Sequence, residues 1–490
     1  MREIFAYPRQ DLVAGVVVFL VALPLCLGIA VACGVPPLSG LVAGVIGGLV
    51  VPLVSRSPLS VTGPAAGLTS IVLLEVGNIG ISAFLTAVAL AGVLQIVGGL
   101  VRAGRLSSLV PSAVIKGMLA AIGLTILKSQ LPVAVGVSTG LANLVGQLHV
   151  GALLIAVVSL GILTGWSYTP AKRLTFVPPA LVVVAVGTAM GQLFRSIPSL
   201  ALTPAQFVSV PTEGLGALVA ALPRPDLHAA LATETWVVAA TLAVVASLET
   251  LLSLQAVDRL DPLHRRSPPD RELLAQGLAN LVSGLVGGLP VTAVIVRSGA
   301  NVAAGGRQRL SAIVHALLLL IAVVALGPWL NLIPLPALAA VLIRVGLGLC
   351  RPGLFREQWA LGRDQFAPFL ITIVAILGED LLVGVLIGML VGVAFVLHQN
   401  SSNAVTVRRE GEVWWVTFRR DGTFVAKPTV LAALEPLPDH AKVVIDATNE
   451  YLDQDMKELL ASYISDASRR GIVVSKVGFD LDGVDIGGHG

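Results

Sequence analysis

A few charged residues stand inside the apolar segments of this chain, and two of them could take part in chemistry. Glu249 lies in the middle of the apolar run 234–256, and Arg297 lies in the shorter run 292–304. If these runs cross a bilayer, each charge costs about 2.5 kcal/mol or more on insertion scales, which makes both residues candidates for function. For Arg297 two interpretations stay open: it attracts or balances an anion, or it forms a structural ion pair with Glu249.

Glu249 has a polar neighbour one helical turn later. Ser253 follows it by four residues and therefore shares its helix face. Two oxygen-bearing side chains on one face can bind Na⁺, so Glu249 and Ser253 are metal ligands if the coupling ion is sodium. A Glu in apolar surroundings can instead carry a proton, and we slightly favour the proton. The predicted coupling-ion site also includes Ala293 and Ile295.

Two short apolar segments each follow a stretch broken by Gly and Pro. Segment 62–75 begins with Thr62-Gly63-Pro64, and segment 292–304 follows Gly287-Gly288-Leu289-Pro290. Half-helices that begin near the midplane would present unpaired N–H groups and the positive ends of their dipoles, which suits an anion. The predicted contacts with this anion are Ala65, Ala66, Gly67, Thr69, Thr292, Ala293, Val294, Ile295 and Arg297, with Leu25 and Cys26 from the first span. Ordinary kinks are the alternative.

The composition places these segments in a membrane. The 490 residues are 55% hydrophobic and 12% charged, with a mean hydropathy of +0.89, whereas soluble domains carry about 25% charge. About fourteen apolar segments recur, most near the ~20 residues that a crossing helix needs. They are 11–33, 36–54, 62–75, 81–101, 108–128, 147–166, 175–194, 234–256, 272–289, 292–304, 309–328, 335–350, 365–379 and 381–398. The fold class is therefore an all-α polytopic membrane protein.

The positive charges of the connecting loops alternate from one side to the other. Lys and Arg cluster in every second loop, including Lys172 and Arg173, on the side that also carries Arg2 and Arg9. The opposite loops are nearly free of positive charge, with the exceptions Lys128, Arg195 and Arg224. Because cytoplasmic loops carry the excess of Lys and Arg, this pattern predicts that both termini are cytoplasmic. The predicted location is a bacterial inner membrane.

The apolar region contains an internal repeat. Pro111 and Gly123 stand twelve residues apart within similar sequence, as do Pro334 and Gly346. With seven segments in each half, the halves, about 11–195 and 234–398, must insert with opposite topology. Inverted repeats with broken helices in matching positions are typical of secondary transporters and of their substrate sites. Chance similarity of apolar sequence is the alternative.

The composition changes after residue 400. Alternating residues over 405–407 and 414–418, and apolar runs at 442–446 and 471–474, predict strands, and 453–470 predicts an amphipathic helix. We therefore divide the chain into a transmembrane domain, 1–400, and a small cytoplasmic α/β domain, 401–490.

The chain resembles the SulP family of anion transporters, the bacterial relatives of the SLC26 carriers. The motifs that carry the resemblance are Asp11-Leu12-Val13-Ala14-Gly15 with Leu23-Pro24, Thr62-Gly63-Pro64, the run Ser247 to Ser253, and Gly287 to Pro290 through Arg297 to Arg307. The resemblance implies seven-plus-seven inverted repeats (a UraA/SLC26-like fold), a core domain rocking against a gate domain, a homodimer, a STAS-like tail, and substrate held between the third and tenth helices. The chain departs from many members in having Pro24-Leu25-Cys26 where they have Pro-Gln.

From these observations we predict a secondary active transporter of a small oxyanion, driven by H⁺ or Na⁺. Bicarbonate and sulfate are the leading substrates and a dicarboxylate is third; an uncoupled anion exchanger or channel is the alternative. The partners are the anion, the coupling ion, the bilayer and a second copy of the chain, without nucleic acid. No cofactor is predicted apart from Na⁺ as a coupling ion. The chain has no His-Glu-x-x-His or Gly-x-Ser-x-Gly motif, so we do not expect an enzyme.

Overall fold

The computed structural model describes residues 2–105, 110–137, 148–168, 177–379, 381–402 and 404–481. Several predicted features lie outside these residues: the starts of three apolar segments (108–109, 147 and 175–176), Lys172 and Arg173, and the end of the tail, 482–490. The chain divides into two compact units. One contains 1–360 and 369–388, and the other contains 361–368 and 389–490.

Helices dominate the chain up to residue 402. They are α1 (Pro8–Ala32), α2 (Pro37–Val54), α3 (Thr69–Leu100), α4 (Ser112–Ala134), α5 (Val150–Gly165), α6 (Pro179–Phe194), α7 (Leu215–Ala221), α8 (Thr233–Leu260), α9 (Pro269–Val286), α10 (Ile295–Ala303), α11 (Leu310–Ala325), α12 (Gly327–Leu330), α13 (Leu335–Leu349), α14 (Pro352–Ala360), α15 (Arg363–Gly378) and α16 (Leu381–Ser402). Every predicted apolar segment overlaps one of them.

Seven helices of the described residues are long and apolar enough to cross a membrane, judged by length and composition. They are Pro8–Ala32, Pro37–Val54, Ala66–Leu100, Ser112–Ala134, Thr233–Leu260, Leu335–Ala360 and Leu381–His398. Shorter apolar helices include α5, α6 and α11. The protein is therefore a multi-pass membrane protein, while the count of fourteen spans stays a prediction.

The third helix contains a break that the sequence predicted. Within α3, Gly80 has φ 78° and ψ 158°, which no helical residue adopts. Glycine tolerates this positive φ because it has no Cβ. The segment up to residue 79 and the segment from residue 81 are therefore two helices, in agreement with the predicted segments 62–75 and 81–101.

Both predicted half-helices begin later than expected, because each is preceded by a short strand. Strand β1 is Thr62–Pro64 and strand β2 is Val291–Ala293, so the predicted helical starts at 62 and 292 are wrong. The two strands pair antiparallel, with Gly63 opposite Thr292. Inside a membrane an unwound backbone must find protein partners for its polar groups, and these two segments satisfy each other. We call the pair the β1–β2 crossing.

Close backbone contacts hold the second half of α3 against α9. A Cβ added to Gly277 would stand 2.7 Å from the carbonyl oxygen of Gly92, and one added to Gly284 would stand 2.5 Å from Ala89 N. Small residues allow this approach, and packing of this kind drives helix association in lipid.

Over the described residues 404–481, the tail forms a four-stranded sheet with two α-helices. Its strands are β3 (Val405–Glu410), β4 (Val413–Phe418), β5 (Lys442–Asp446) and β6 (Val473–Val477), and its helices are α17 (Lys427–Leu434) and α18 (Gln454–Arg469). The order is β3-β4-β5-β6, with β3 and β4 antiparallel and the other pairs parallel. At the start of α18 the Asp453 side chain accepts the Met456 N–H at 2.8 Å. The predicted strands and the predicted helix are confirmed, while the sequence reasoning missed α17.

Candidate functional site

The β1–β2 crossing positions the start of α10. Val294 N–H donates to the carbonyl of Val61 at 3.0 Å, and Ala293 N–H donates to the hydroxyl of Thr250 in α8 at 3.3 Å. In return, Val61 N–H donates to Ser298 Oγ at 2.9 Å. The first N–H groups of a helix have no acceptor within the helix, so the first turn of α10 offers its backbone donors next to the crossing.

The start of α3 also presents backbone N–H groups, because a short turn leads into the helix. A 3₁₀ turn, Ala66–Leu68, precedes the α-helix, and Leu68 N–H donates to Ala65 O at 3.3 Å. The turn and the helix run on without interruption to Gly80, so their dipoles add and their positive end lies at Ala66 and Gly67.

These two helix starts line one cavity, which we call the Glu249 cavity. Its volume is about 330 Å³, and its lining includes Ala66 and Gly67 from the first start and Val294 and Ile295 from the second. Helix α8 contributes Glu249 and Ser253. The structure therefore brings together six of the predicted site residues, drawn from three separate parts of the chain.

Glu249 faces the start of α3 and not Arg297. A Cβ added to Gly67 would stand 2.8 Å from Glu249 Oε1, and the Gly67 N–H is placed to donate to the carboxylate. Glu249 Oε2 has no hydrogen-bond partner among the described residues. The ion pairs of the described residues include neither Glu249 nor Arg297. The structural ion pair between these residues, one of our two interpretations, is not formed in this conformation.

Arg297 packs against β1 of the crossing and is not among the residues that line the Glu249 cavity. It is 0% exposed, its Nη2 donates to Pro64 O at 3.4 Å, and its Nε and Nη1 atoms have no partner among the described residues. Cys26 lies beside the guanidinium. Arg297, Cys26 and Leu25 do not line the Glu249 cavity, so their predicted direct contact with an anion there is not supported by this conformation. The guanidinium instead places a positive charge behind the two helix starts.

Thr69 lies on the other side of the α3 start. Its hydroxyl donates to Ala66 O at 2.8 Å, and it lines a second cavity of about 920 Å³ together with Asn78 and Lys128. Ala66 lines both cavities. Of the remaining predicted contacts, Ala65, Thr292 and Ala293 are buried in or beside the crossing and line neither cavity. Thr69 therefore does not line the Glu249 cavity in this conformation, and its contact with the anion stays a prediction.

The sequence reasoning missed a row of polar residues along α9. Glu272 is 0% exposed and accepts hydrogen bonds from the hydroxyls of Ser55 and Ser57, the latter at 2.7 Å, and from Gln276 Nε2 at 3.0 Å. Gln276 Nε2 also donates to Thr62 Oγ1 in β1 at 2.7 Å. The row therefore ties α9 to β1.

Further along α9, Asn280 ties the same helix to β2. Its side chain accepts Val291 N–H at 2.7 Å and donates to Gln95 Oε1 at 2.7 Å, and Gln95 Nε2 donates to Ser247 Oγ at 3.2 Å. Ser247 is two residues from Glu249. The sequence did hold a signal for this row, because polar residues three or four apart lie on one helix face. The residues with this spacing are Glu272, Gln276, Asn280 and Ser283. These contacts hold the crossing in place relative to α8.

Two helices of the apolar bundle begin at a short pair of strands instead of running on as continuous rods. Interrupted helices of this kind are typical of membrane transporters. A family model described as the sulfate permease family matches residues 9–375, and the chain belongs to this family. The chain is 27% identical to YbaR of Bacillus subtilis over 93% of this chain and 91% of that protein. It is 27% identical to the bicarbonate transporter BicA of Synechocystis over 71% of this chain and 62% of that protein.

Solved structures show the same architecture. The transmembrane domain of a cyanobacterial bicarbonate transporter, BicA, matches with a TM-score of 0.66 at 25% identity, over 79% of this chain and 98% of that chain. SLC26A9 matches with a TM-score of 0.79 at 16% identity, over 97% of this chain and 85% of that chain. At this identity the match shows a shared fold and nothing about function.

Proposed function

We propose that the protein is a secondary active transporter that carries a small oxyanion, bicarbonate or sulfate, by alternating access. The anion binds in the Glu249 cavity between the starts of α3 and α10. Membership of the sulfate permease family and similarity to a bicarbonate transporter support anion transport over catalysis.

The observation that carries the proposal is the convergence of two helix N-termini on one cavity. Backbone N–H groups and aligned peptide dipoles bind anions without a formal charge. The lining residues at both starts, Ala66, Gly67, Val294 and Ile295, carry no polar side chain that would keep an oxyanion from the backbone. The buried guanidinium of Arg297 adds a positive potential from behind, and little screens it in the interior.

Glu249 couples the anion to a cation. Its carboxylate lies in the cavity that the anion enters, so two negative charges would meet there unless a cation joins them. A proton on Glu249 removes one of the charges. A sodium ion held by Glu249 and Ser253 balances it instead. We favour the proton, since the carboxyl and one hydroxyl supply few of the oxygen ligands that a metal ion takes.

Uptake into proteoliposomes tests the proposal. Purified protein is reconstituted, and labelled sulfate or bicarbonate is added outside the proteoliposomes under an inward proton gradient, an inward sodium gradient, or neither. The proposal predicts accumulation above the external concentration with one cation gradient. Uptake that is indifferent to both gradients refutes symport and favours an uncoupled exchanger or channel, and transport of a dicarboxylate alone refutes the oxyanion assignment.

The proposal includes an arrangement in the membrane. The two halves of the transmembrane domain are inverted repeats, both termini are cytoplasmic, the tail is a STAS-like domain, and the working unit is a homodimer in the bacterial inner membrane. The α/β composition of the tail and the alternation of Lys and Arg in the loops support this arrangement. Protease access to tagged termini in oriented vesicles tests the topology.

A further inference from the structure

The cavity on the Thr69 side of the α3 start, which we call the outer cavity, is larger than the Glu249 cavity, with a volume of about 920 Å³. Its lining includes Gly34, which follows α1, Lys128 near the end of α4, and Glu379, which follows α15. With both termini cytoplasmic, as the charge pattern predicts, these three positions lie toward the external face of the membrane. The outer cavity therefore belongs to the external side.

The Glu249 cavity lies toward the opposite face. Its lining includes Ser112 and Lys116 from the start of α4 and Arg259 from the end of α8. Helix α4 has 23 residues, which is enough to cross the hydrocarbon core, so its two ends lie at opposite faces. Ala66 lines both cavities. An anion that moves from one cavity to the other therefore passes the α3 start.

Lys128 is an exception to the charge pattern of the loops. The loops on the external side carry almost no positive charge apart from Lys128, Arg195 and Arg224. Among the described residues that line the outer cavity, Lys128 is the one cation. Its side chain is exposed and takes part in no ion pair of the described residues. Nothing in the described part of the chain therefore keeps its ammonium group from an anion.

One acid of the described lining, Glu379, accompanies Lys128 in the outer cavity, and the two form no ion pair. The two charges cancel in sum, so the attraction of an anion depends on the separation of Lys128 from an acid and not on a surplus of positive charge. A separate ammonium group keeps three hydrogen-bond donors for an anion. Because salt screens exposed charges beyond about 8 Å, Lys128 acts on an anion at the cavity and not from a distance.

We propose that Lys128 attracts the transported oxyanion into the outer cavity, from which the anion passes to the α3 start. A charge in a cleft raises the local concentration of its counter-ion and speeds association. Lys128 does not hold the anion, because an exposed ion pair is weak, and the binding site stays in the Glu249 cavity. This inference rests on the proposed transport of an oxyanion and adds the residue that serves its entry.

An exchange of charge at one position tests the proposal. The full chain carrying Lys128→Cys is placed in right-side-out vesicles, and a membrane-impermeant thiosulfonate attaches either a trimethylammonium or a sulfonate group to the cysteine. The KM for external labelled sulfate or bicarbonate is measured before and after treatment. Arg224→Cys is the matched control, because Arg224 is exposed on the same side and does not line the outer cavity. The wild type is treated as well, since its Cys350 is partly exposed.

The KM of Lys128→Cys is expected to be about threefold or more above that of the wild type, because a positive charge at the entrance is lost. The trimethylammonium group should restore the KM, and the sulfonate group should raise it further. Arg224→Cys should behave as the wild type does with either reagent. Melting temperatures in detergent check that both variants are folded.

Two results overturn the inference while the proposed function stands: an unchanged KM in Lys128→Cys, or the same effect from both reagents. A wild type that takes up neither anion overturns the proposed function, and this inference with it.

Discussion

Gly123 of α4 and Gly346 of α13 pack backbone against backbone. A Cβ added to Gly123 would stand 2.6 Å from Gly346 O, and one added to Gly346 would stand 2.9 Å from Gly123 O. These are the two residues that the internal repeat makes equivalent. Equivalent residues of two inverted repeats contact each other only where they lie beside the pseudo-twofold axis, so the predicted repeat places this contact at that axis.

Replacing Gly123 should destabilise the protein. Alanine usually favours a helix over glycine, but here its methyl group enters a contact that leaves it no room, which costs about 1–3 kcal/mol. Gly123→Ala is expected to unfold at a lower temperature than the wild type in the same detergent. Gly161→Ala in α5 is the control, since no atom lies within 4 Å of the added Cβ. Equal melting temperatures for the two variants would contradict the packing.

Gly67→Ala should impair transport at the site itself. The added methyl group would lie 2.8–2.9 Å from the atoms of the Glu249 carboxyl group, which must then leave its position beside the α3 start. We expect an uptake rate at least about tenfold lower, equivalent to ~1.4 kcal/mol. Gly77→Ala, in the same helix with nothing within 4 Å of its Cβ, should transport normally. Equal uptake by the two variants would show that the gap between Gly67 and Glu249 has no function.

Glu249→Gln should separate accumulation from exchange. The amide keeps the shape of the side chain but carries no negative charge, so neither a proton nor Na⁺ is required for the anion to enter. Concentrative uptake in proteoliposomes is expected to be lost, while exchange of internal for external anion continues. Glu234→Gln, at the exposed start of α8, serves as the control. Accumulation by Glu249→Gln at the wild-type level would remove Glu249 from coupling.

Arg297 should act through its charge and not through direct contact with the anion. Arg297→Met keeps much of the side-chain volume but removes the charge, and we expect transport to be lost while the protein still inserts. Arg297→Lys retains the charge and should restore part of the uptake, with the main defect in the KM for the anion. Wild-type flux from Arg297→Met would exclude Arg297 from the mechanism. Equal loss in both variants would indicate a purely structural role.

Asn280 should be needed to hold the β1–β2 crossing. In Asn280→Ala the buried Val291 N–H loses its acceptor, which costs about 1–3 kcal/mol. Both melting temperature and uptake are expected to fall. The control is Asn78→Ala, because Asn78 is exposed and lines the cavity on the Thr69 side. A normal melting temperature and normal uptake for Asn280→Ala would show that the crossing does not depend on this side chain.

Hydrophobic length and Gly/Pro breaks predicted the long apolar helices and the two segments that follow a break, but not the short helices α7 and α14. They did not predict the strands that precede α3 and α10. Three residues such as Thr62-Gly63-Pro64 form a strand only because a partner 229 residues away supplies the opposite backbone, as in the pairing of Gly63 with Thr292. Such long-range pairing leaves no periodicity in the local sequence.

The sequence predicted which residues form the candidate site better than it predicted where their side chains point. Ala66, Gly67, Glu249 and Ile295 do line one cavity, because helix ends and an intramembrane acid are visible in sequence. The rotation of α10 about its axis decides that Arg297 faces the crossing. Two hydrogen bonds fix this rotation: Val61 N–H donates to Ser298 Oγ, and Asn301 Nδ2 donates to Leu59 O at 3.0 Å. Those contacts depend on the tertiary fold, so the sequence could not reveal them.

The most direct test is to locate a bound anion. Selenate is an analogue of sulfate, and its selenium atom can be found by anomalous diffraction from crystals of the full chain. The peak is expected in the Glu249 cavity, within about 4 Å of the backbone nitrogens at the starts of α3 and α10, as hydrogen bonding through an oxygen requires. A peak in contact with the Arg297 guanidinium, or one outside the Glu249 cavity, would contradict an anion site built from two helix ends.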